Sequence, residues 1–317
     1  MWNKKDIMKS KKTFSTVALI IMALIWGLSY VGVTDALNNG WGPFPIIFIR
    51  SAIAAIVIVP FTLKKDWKNK KIYFRGMLLG LASFLGYAFQ TYGQSMTSIG
   101  ETSFITSLYV VLIPIILRIV IKRREPWFIF VSCGIAVLGC FLLNLKIPFS
   151  FDKEHLLGNG IVLAGALFFS LQILLIGKYT HEGDDPLQLS VVNLVTMAFL
   201  ALIMLSVIGD FSFSTKGLPS VIWVGLLSSG LCTVFQMIGE RNLPTTVSGI
   251  IMSLESVFGA VFAFIIFHET LTWIQIIGCI LIIIPVIIVQ LPHRRKEDKP
   301  KVGIQENNIA IEKEFEN

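Results

Sequence analysis

The chain has 317 residues, of which 54% are hydrophobic and only 15% charged, and its mean hydropathy is +0.74. A water-soluble domain averages roughly 25% charged residues, so this composition excludes a soluble enzyme or a soluble binding module. A net charge of +7 would suit nucleic acid, but the basic residues collect in alternate loops, as they do beside a membrane.

Ten runs are long and apolar enough to cross a hydrocarbon layer about 30 Å thick at about 1.5 Å per residue. In chain order they are Phe14–Ala36, Phe44–Thr62, Arg75–Tyr92, Thr102–Ile121, Trp127–Leu145, Leu157–Gly177, Leu187–Ile208, Leu218–Ile238, Thr245–Phe267 and Trp273–Gln290. Residues 1–13 form a basic tail ahead of them. The first run is longer than a signal-peptide core and lacks a small-residue cleavage site, so it reads as a retained helix. Residues 291–317 are polar and mixed in charge and read as a disordered tail. The basic cluster His293–Lys296 reads as a stop-transfer and orientation signal. The longest hydrophilic loops have about ten residues, too few for a soluble domain.

The sequence is also written twice. Phe104–Leu145 lies on Ser248–Val289 at a constant offset of 144, which puts Glu125 on Glu269 and Gly134 on Gly278. Further forward, "FQTYGQ" (Phe89–Gln94) falls on "FQMIGE" (Phe235–Glu240), and Pro43 falls on Pro186. This gives a first copy over 14–148 and a second over 155–290. Each holds five runs, an odd number, so the copies cross the bilayer in opposite senses. Inverted duplication is a recurring architecture of secondary transporters, with substrate sites near the midplane between the copies.

With the N-terminus in the cytoplasm, 22 of the 27 Lys and Arg fall on the inner side. Only Lys146, Lys153 and Lys216 fall outside, while Arg50 and Arg118 lie within runs. This bias predicts both termini inside a plasma membrane. The four cysteines (Cys133, Cys140, Cys232, Cys279) all lie inside runs at spacings that fit neither a metal motif nor a disulfide framework, and read as packing residues.

The duplication supplies an internal control for polar residues at membrane depth. A residue shared by both copies serves the common architecture; a costly one that breaks the symmetry points to the transported solute. Glu255 is the sharpest case, because its mate is Val111 and a central carboxyl costs roughly 2.5–3.5 kcal/mol on insertion scales. It is the candidate for proton or cation coupling, against a purely structural role locking two helices. Arg50, whose mate is Asn193, is a candidate to hold a carboxylate bidentately, to pair with Glu255, to snorkel to headgroups, or to lock helices together. Trp26, Tyr30, Tyr109, Gln172, Asn193, Gln90 and Gln94 complete the candidate substrate-binding set, as hydrogen-bonding groups at depths where unpaired polar atoms are costly. Gln90 and Gln236 are mates and lean towards architecture.

Glu125 and Glu269 are equivalent, each opening the last helix of its copy, and read as caps favoured by the helix dipole. Gly76–Gly80 and Gly225–Ser229 have the spacing of close helix approach. Pro114 predicts a kink in the fourth run, and Gly259 a soft spot in the ninth.

At this point the residues resemble a known family, the ten-span drug/metabolite transporters built from two EamA-type repeats. The likeness covers about residues 14–290. It is carried by "MALIWGLSYVGVTDAL", "ETSFITSLYVVLIPIIL", "REPWFIFVSCGIAVLGCFLL" and "HETLTWIQIIGCILIIIPVII" together with the tandem pattern. The resemblance implies an all-α helical bundle with a central cavity lined by both halves, alternating access, and export of amino acids, metabolites or drugs. One departure is the last helix, where "LIIIPVII" stands in place of the first copy's glycine-bearing "VLGCFLL".

The resulting expectation is a secondary-active carrier of small organic solutes, with no cofactor, metal or catalytic group. Its partners would be a small-molecule substrate, the lipid bilayer and protons as coupling ion; a homodimer is admissible and nucleic acid is not. Rival readings are an uncoupled facilitator or exchanger, a membrane-embedded lipid-modifying enzyme, and a receptor. The enzyme reading wants clustered His, Asp, Glu, Ser or Cys, whereas the four histidines (His155, His181, His268, His293) are scattered over loops, a tail and a span end.

Overall fold

A computed structural model describes residues 4–120, 122, 125–145, 153–267 and 272–291. The described residues are helical, with no strand. Helix α1 (Lys4–Asn38) is followed by α2 (Pro43–Ile58), which ends in a 3-10 turn, and by α3 (Lys70–Gln94). The fourth crossing is split into α4 (Ile99–Ser107) and α5 (Tyr109–Ile119), and α6 (Trp127–Leu143) closes the first copy. The second copy runs through α7 (Lys153–His181) and α8 (Pro186–Ile208). Its eighth crossing is a composite of α9 (Leu218–Trp223), a π segment (Val224–Leu231) and α10 (Cys232–Asn242). The ninth is split into α11 (Thr245–Met252) and α12 (Leu254–Phe267), and α13 (Trp273–Gln290) is last. Among the described residues nine crossings reach 18 residues or more, and Trp127–Leu143 is a shorter apolar helix.

The direction of each crossing follows from the loop contacts. At the face where α1 begins, here the N-terminal face, Lys65 in the α2–α3 loop pairs with Asp185 at the start of α8 (2.8 Å). Arg75 there takes Asp184 (2.7 Å) and Glu182. At the opposite face Trp41 Nε1 donates to the Lys216 carbonyl (2.9 Å) and Ser220 donates to Asp35 (2.6 Å). The first copy thus starts at the N-terminal face and the second at the opposite one, giving two antiparallel five-crossing halves.

Local chemistry sets the helix ends. Asp185 accepts from the N–H groups of Leu187 and Gln188 with Pro186 in the first turn, and Gly209 ends α8 with φ +75°, a value that suits a residue without Cβ. Ser98 caps α4, and Thr272 with Gln275 forms a capping box on α13. Of the two expected acidic caps, only Glu125 lies among the described residues. α6 begins at Trp127 after Pro126 with no acidic residue in its first turn, so Glu125 stands ahead of the helix. Glu269 lies outside the described residues, as do His268, His293 and the tail after Leu291.

The main core joins α1, α5, α6, α11, α12 and α13 through Leu19, Met22, Ile113, Ile250, Met252 and Ile282, all without exposed surface. Large apolar side chains such as Ile56, Phe74, Phe199 and Trp273 point outward, toward lipid. Cys133, Cys140 and Cys232 are buried as free thiols.

Glycines decide how closely the crossings approach. A methyl on Gly76 would lie 2.5 Å from Val192 Cβ and one on Gly80 2.8 Å from the Asn193 carbonyl, so the predicted pair does draw α3 onto α8. Gly259 is not a soft spot but half of a tight crossing: a methyl on Gly27 of α1 would lie 2.7 Å from the Gly259 nitrogen and 2.6 Å from the Glu255 carbonyl oxygen. The α1 backbone therefore fixes the first turn of α12. Gly27→Ala is expected to destabilise by about 1–3 kcal/mol through overpacking, read as a fall of several degrees in melting temperature in detergent. Gly134→Ala and Gly160→Ala, where the added methyl meets nothing within 4 Å, should leave it unchanged or slightly higher. Equal shifts at all three positions would contradict the assigned crossing.

Candidate functional site

The site begins where two helices break. α4 gives way to α5 at Leu108 (φ −61°, ψ −15°), and α11 gives way to α12 at Ser253 (φ −61°, ψ −13°). The breaks occupy nearly equivalent positions in the two copies. At the first, the Leu108 and Val111 N–H groups bond three residues back, to Ile105 and Leu108 (3.1 and 3.0 Å). Pro114 stays inside α5, and the interruption lies about a turn and a half before it. A proline leaves the carbonyl four residues earlier without its helical donor, which loosens the turn just after the break.

The two breaks face each other. Ser107 and Ser256 share a hydrogen bond between hydroxyls (2.8 Å), and the Tyr109 hydroxyl donates to Glu255 Oε1 (3.3 Å). Glu255 sits in the first turn of α12, where the helix dipole favours a carboxylate. It is 2% exposed and does not point at lipid.

Beside this crossing lies a cavity of about 460 Å³, counting the space at its mouth, with Trp26, Tyr30, Arg50, Gln90, Tyr109 and Glu255 in its wall. Both copies contribute, and it runs from mid-membrane toward the face at which α3 ends and α4 begins. Tyr87, Gln94, Thr106, Phe169 and Gln172 complete much of the wall. Eight of the nine residues singled out from sequence meet here.

Asn193, the ninth, does not. It is buried between α3 and α8, where Ser83 Oγ donates to its Oδ1 (2.9 Å). Its copy-one mate Arg50 faces the cavity, so equivalent positions point into different surroundings.

Arg50 is 2% exposed and does not snorkel. Its Nε donates to Ser229 Oγ (2.6 Å) and its Nη2 to Ser228 Oγ (3.1 Å), while its guanidinium carbon lies 4.4 Å from the centre of the Tyr87 ring. All three partners are neutral. Among the described residues no ion pair joins Arg50 to Glu255. The π segment makes this possible: its extra residue turns adjacent Ser228 and Ser229 toward α2, while Gly225 lets it approach, since a methyl there would sit 3.2 Å from Arg50 Cα. The Gly225–Ser229 spacing thus marks both a close approach and a ligand for the arginine.

The other polar groups are tied into place. Gln90 Nε2 donates to Thr106 Oγ1 (3.0 Å) and the Tyr30 hydroxyl (3.3 Å); Gln94 Nε2 donates to Thr34 Oγ1 (2.9 Å) and the Tyr30 carbonyl (3.0 Å). Trp26 Nε1 donates to the Ser228 carbonyl (3.2 Å). Gln172 and Gln236 exchange two hydrogen bonds of 3.2 Å, and Gln236 also donates to Glu240 Oε1 (3.0 Å). Buried amides that orient one another in this way give a preorganised wall.

Sequence reasoning missed Tyr87, Ser228, Ser229 and Glu240. Tyr87 was legible, since it precedes Gln90 and Gln94 by three and seven residues and so shares their helical face. Glu240 was legible too: it stands opposite Gln94 in the duplicated hexapeptide, an acid against an amide. The two serines depended on a π turn, for which the sequence has no distinct signature.

Among the described residues, no three His, Cys, Asp or Glu side chains gather to hold a metal ion. His155 Nδ1 lies 3.6 Å from Glu101 at the opposite face, away from the cavity wall.

Comparison with known proteins agrees with this architecture. An uncharacterized transporter of Archaeoglobus fulgidus is 29% identical over 281 residues, spanning 89% of this chain and 87% of that protein. The threonine/homoserine exporter RhtA of Salmonella typhimurium is 27% identical over 267 residues, 81% of this chain and 85% of its own length. RhtA of Escherichia coli K12 is 25% identical over 240 residues, covering 73% and 76%. A crystal structure superposes with a TM-score of 0.73, covering 87% of this chain and 98% of that one, at 15% identity, a likeness of fold alone. The EamA-like transporter family matches twice, at residues 13–145 and 156–291. The chain belongs to that family and is a multi-pass membrane transporter of small molecules.

Proposed function

We propose that this transporter is a secondary-active exporter of small zwitterionic solutes, amino acids foremost, working by alternating access with both termini in the cytoplasm. The observation that carries this reading is the pair of opposite charges, Arg50 and Glu255, each 2% exposed and both lining one cavity without pairing. A guanidinium held only by neutral hydroxyls and a ring keeps its charge uncancelled, and it has further N–H donors for a carboxylate. Glu255 offers the complementary end for an ammonium group. Trp26, Tyr30 and Tyr109 supply apolar and hydrogen-bonding walls between them. The exporter names of the RhtA relatives support the same solute class and direction.

Coupling follows from competition for one group. A solute ammonium and a proton cannot both occupy Glu255, so proton entry on one side displaces solute and solute entry on the other displaces the proton. An excess of Lys and Arg on the N-terminal face, including Lys64–Arg75, supports placing that face in the cytoplasm. The cavity then leans outward, toward the side of release.

Two measurements test this in proteoliposomes with radiolabelled threonine and homoserine. An inward proton gradient should accelerate efflux through the native protein. In Glu255→Gln, exchange should persist while the acceleration disappears; gradient-driven flux of native size through that variant would refute the coupling role. Arg50→Ala should weaken apparent affinity by about thirtyfold or more, matching roughly 2 kcal/mol for a buried charge partner. Arg50→Lys should recover only part, having lost the planar fork. Unchanged affinity in Arg50→Ala, with native melting behaviour, would remove the carboxylate anchor.

A further inference from the structure

Glu240 is an acid that the transport cycle above does not use. It lies near the end of α10 at the N-terminal face and has no exposed surface. Gln236 donates to its Oε1, and its Oε2 has no hydrogen-bond partner. Through Gln236 and Gln172 the carboxyl connects to the cavity wall by an unbroken line of polar side chains. The line runs through the half of the molecule that is closed. There Leu19 packs over Gly239, Ser15 donates to the Ile238 carbonyl (3.2 Å) and Asn242 donates to Ser15 (3.0 Å), joining α1 to α10.

Among the described side chains, the elements packed against α10 offer this carboxyl no compensating charge. On α1, Lys11 and Lys12 are exposed, as are Lys178 and His181 on α7 and Arg241 on α10 itself. Asp184 and Asp185, at the start of α8, are taken by Arg75 and Lys65. The π segment and α11 carry no charged side chain. An ionised carboxylate without exposed surface, beside only neutral donors (the Gln236 amide and the Gly177 backbone), is costly to bury, and a proton on Oε2 removes the charge.

We infer that Glu240 is a second proton-binding site of the carrier, filled while the N-terminal face is sealed and emptied to water when that face opens. The proton leaves Oε2 for water or buffer, and the carboxylate left behind is hydrated in the opened passage. Because the open form binds fewer protons, rising pH on that face favours opening, by up to about tenfold per pH unit. The inference rests on the alternating-access reading and adds to it a gate linked to internal pH.

The test uses the full chain in liposomes. Leu19→Cys places a thiol in the seal, and its alkylation by N-ethylmaleimide is followed by peptide-resolved mass spectrometry, normalised to the exposed position Lys12→Cys to remove the thiol's own ionisation. The normalised rate should climb with pH, approaching tenfold per unit, and become flat when Glu240→Gln is added. An equal slope in both backgrounds would overturn the role of Glu240 and leave alternating access standing. Absence of labelling at every pH in both would overturn the opening itself. In the native chain, dicyclohexylcarbodiimide, which adds to protonated carboxyls in apolar settings, should modify Glu240 at acidic pH and progressively less as pH rises. A yield that does not change with pH, or no adduct at all, would equally refute the inference without relying on the variant's folding.

Discussion

A low-dielectric interior that holds a cation and an acid apart is the constraint on which this structure turns. Burying either charge in a bilayer is costly, and the simplest remedy would be to let Arg50 and Glu255 neutralise each other. The fold prevents this by giving each its own neutral partners: two serine hydroxyls and the Tyr87 ring for the arginine, the Tyr109 hydroxyl for the glutamate. On the proposed reading, the remaining electrostatic demand is what a ligand carrying both signs would meet. Preorganised polar groups that need not rearrange on binding give specificity at low cost.

Three backbone irregularities produce this arrangement, and each lies on the cavity side of the bundle. The breaks at Leu108 and Ser253 bring Tyr109 and Glu255 together, and the π segment aims Ser228 and Ser229 at Arg50. Irregular backbone at membrane depth is tolerated where it is buried in protein or lines a cavity. Regular helices would have kept these groups on separate ridges. The Gly27–Gly259 crossing then holds the first turn of α12 against α1, so the position of Glu255 is set by backbone contact and not by a flexible side chain.

Much of this was legible in the sequence for a definite reason. Ten apolar runs, the tandem offset and the alternation of basic loops are properties of whole segments, and they survive uncertainty about any single residue. Glu255 and Arg50 stood out because unpaired charge at membrane depth is rare and because their mates are uncharged. The wall residues on α3 follow from helical spacing. What was not legible depended on local winding. Nothing in "VGLLSSGL" announces a π turn, so the arginine's ligands were read as a helix-packing seam. Pro114 located the disturbed crossing but not its break. Glu125 failed as a cap because Pro126 and Trp127 start the helix two residues later. Asn193 failed as a wall residue because equivalence in sequence carries no equivalence of surroundings once the copies pack against different neighbours.

The duplication sharpens this last point into an argument about mechanism. Two inverted copies of one sequence would build a nearly symmetric passage, equally disposed toward either face. The gradients set which way a coupled carrier runs, but the charged departures from symmetry make the two faces chemically different. Val111 becomes Glu255, Asn193 becomes Arg50 and Gln94 becomes Glu240 when the equivalent position in the other copy is taken. Gln94 is bonded to α1 near the open end of the cavity, while Glu240 sits beyond its closed end. If the proposed gates lie at these two ends, an amide at one and an acid at the other means that only the second answers to pH. The shared residues thus account for the passage, and the unshared ones for the difference between its two faces.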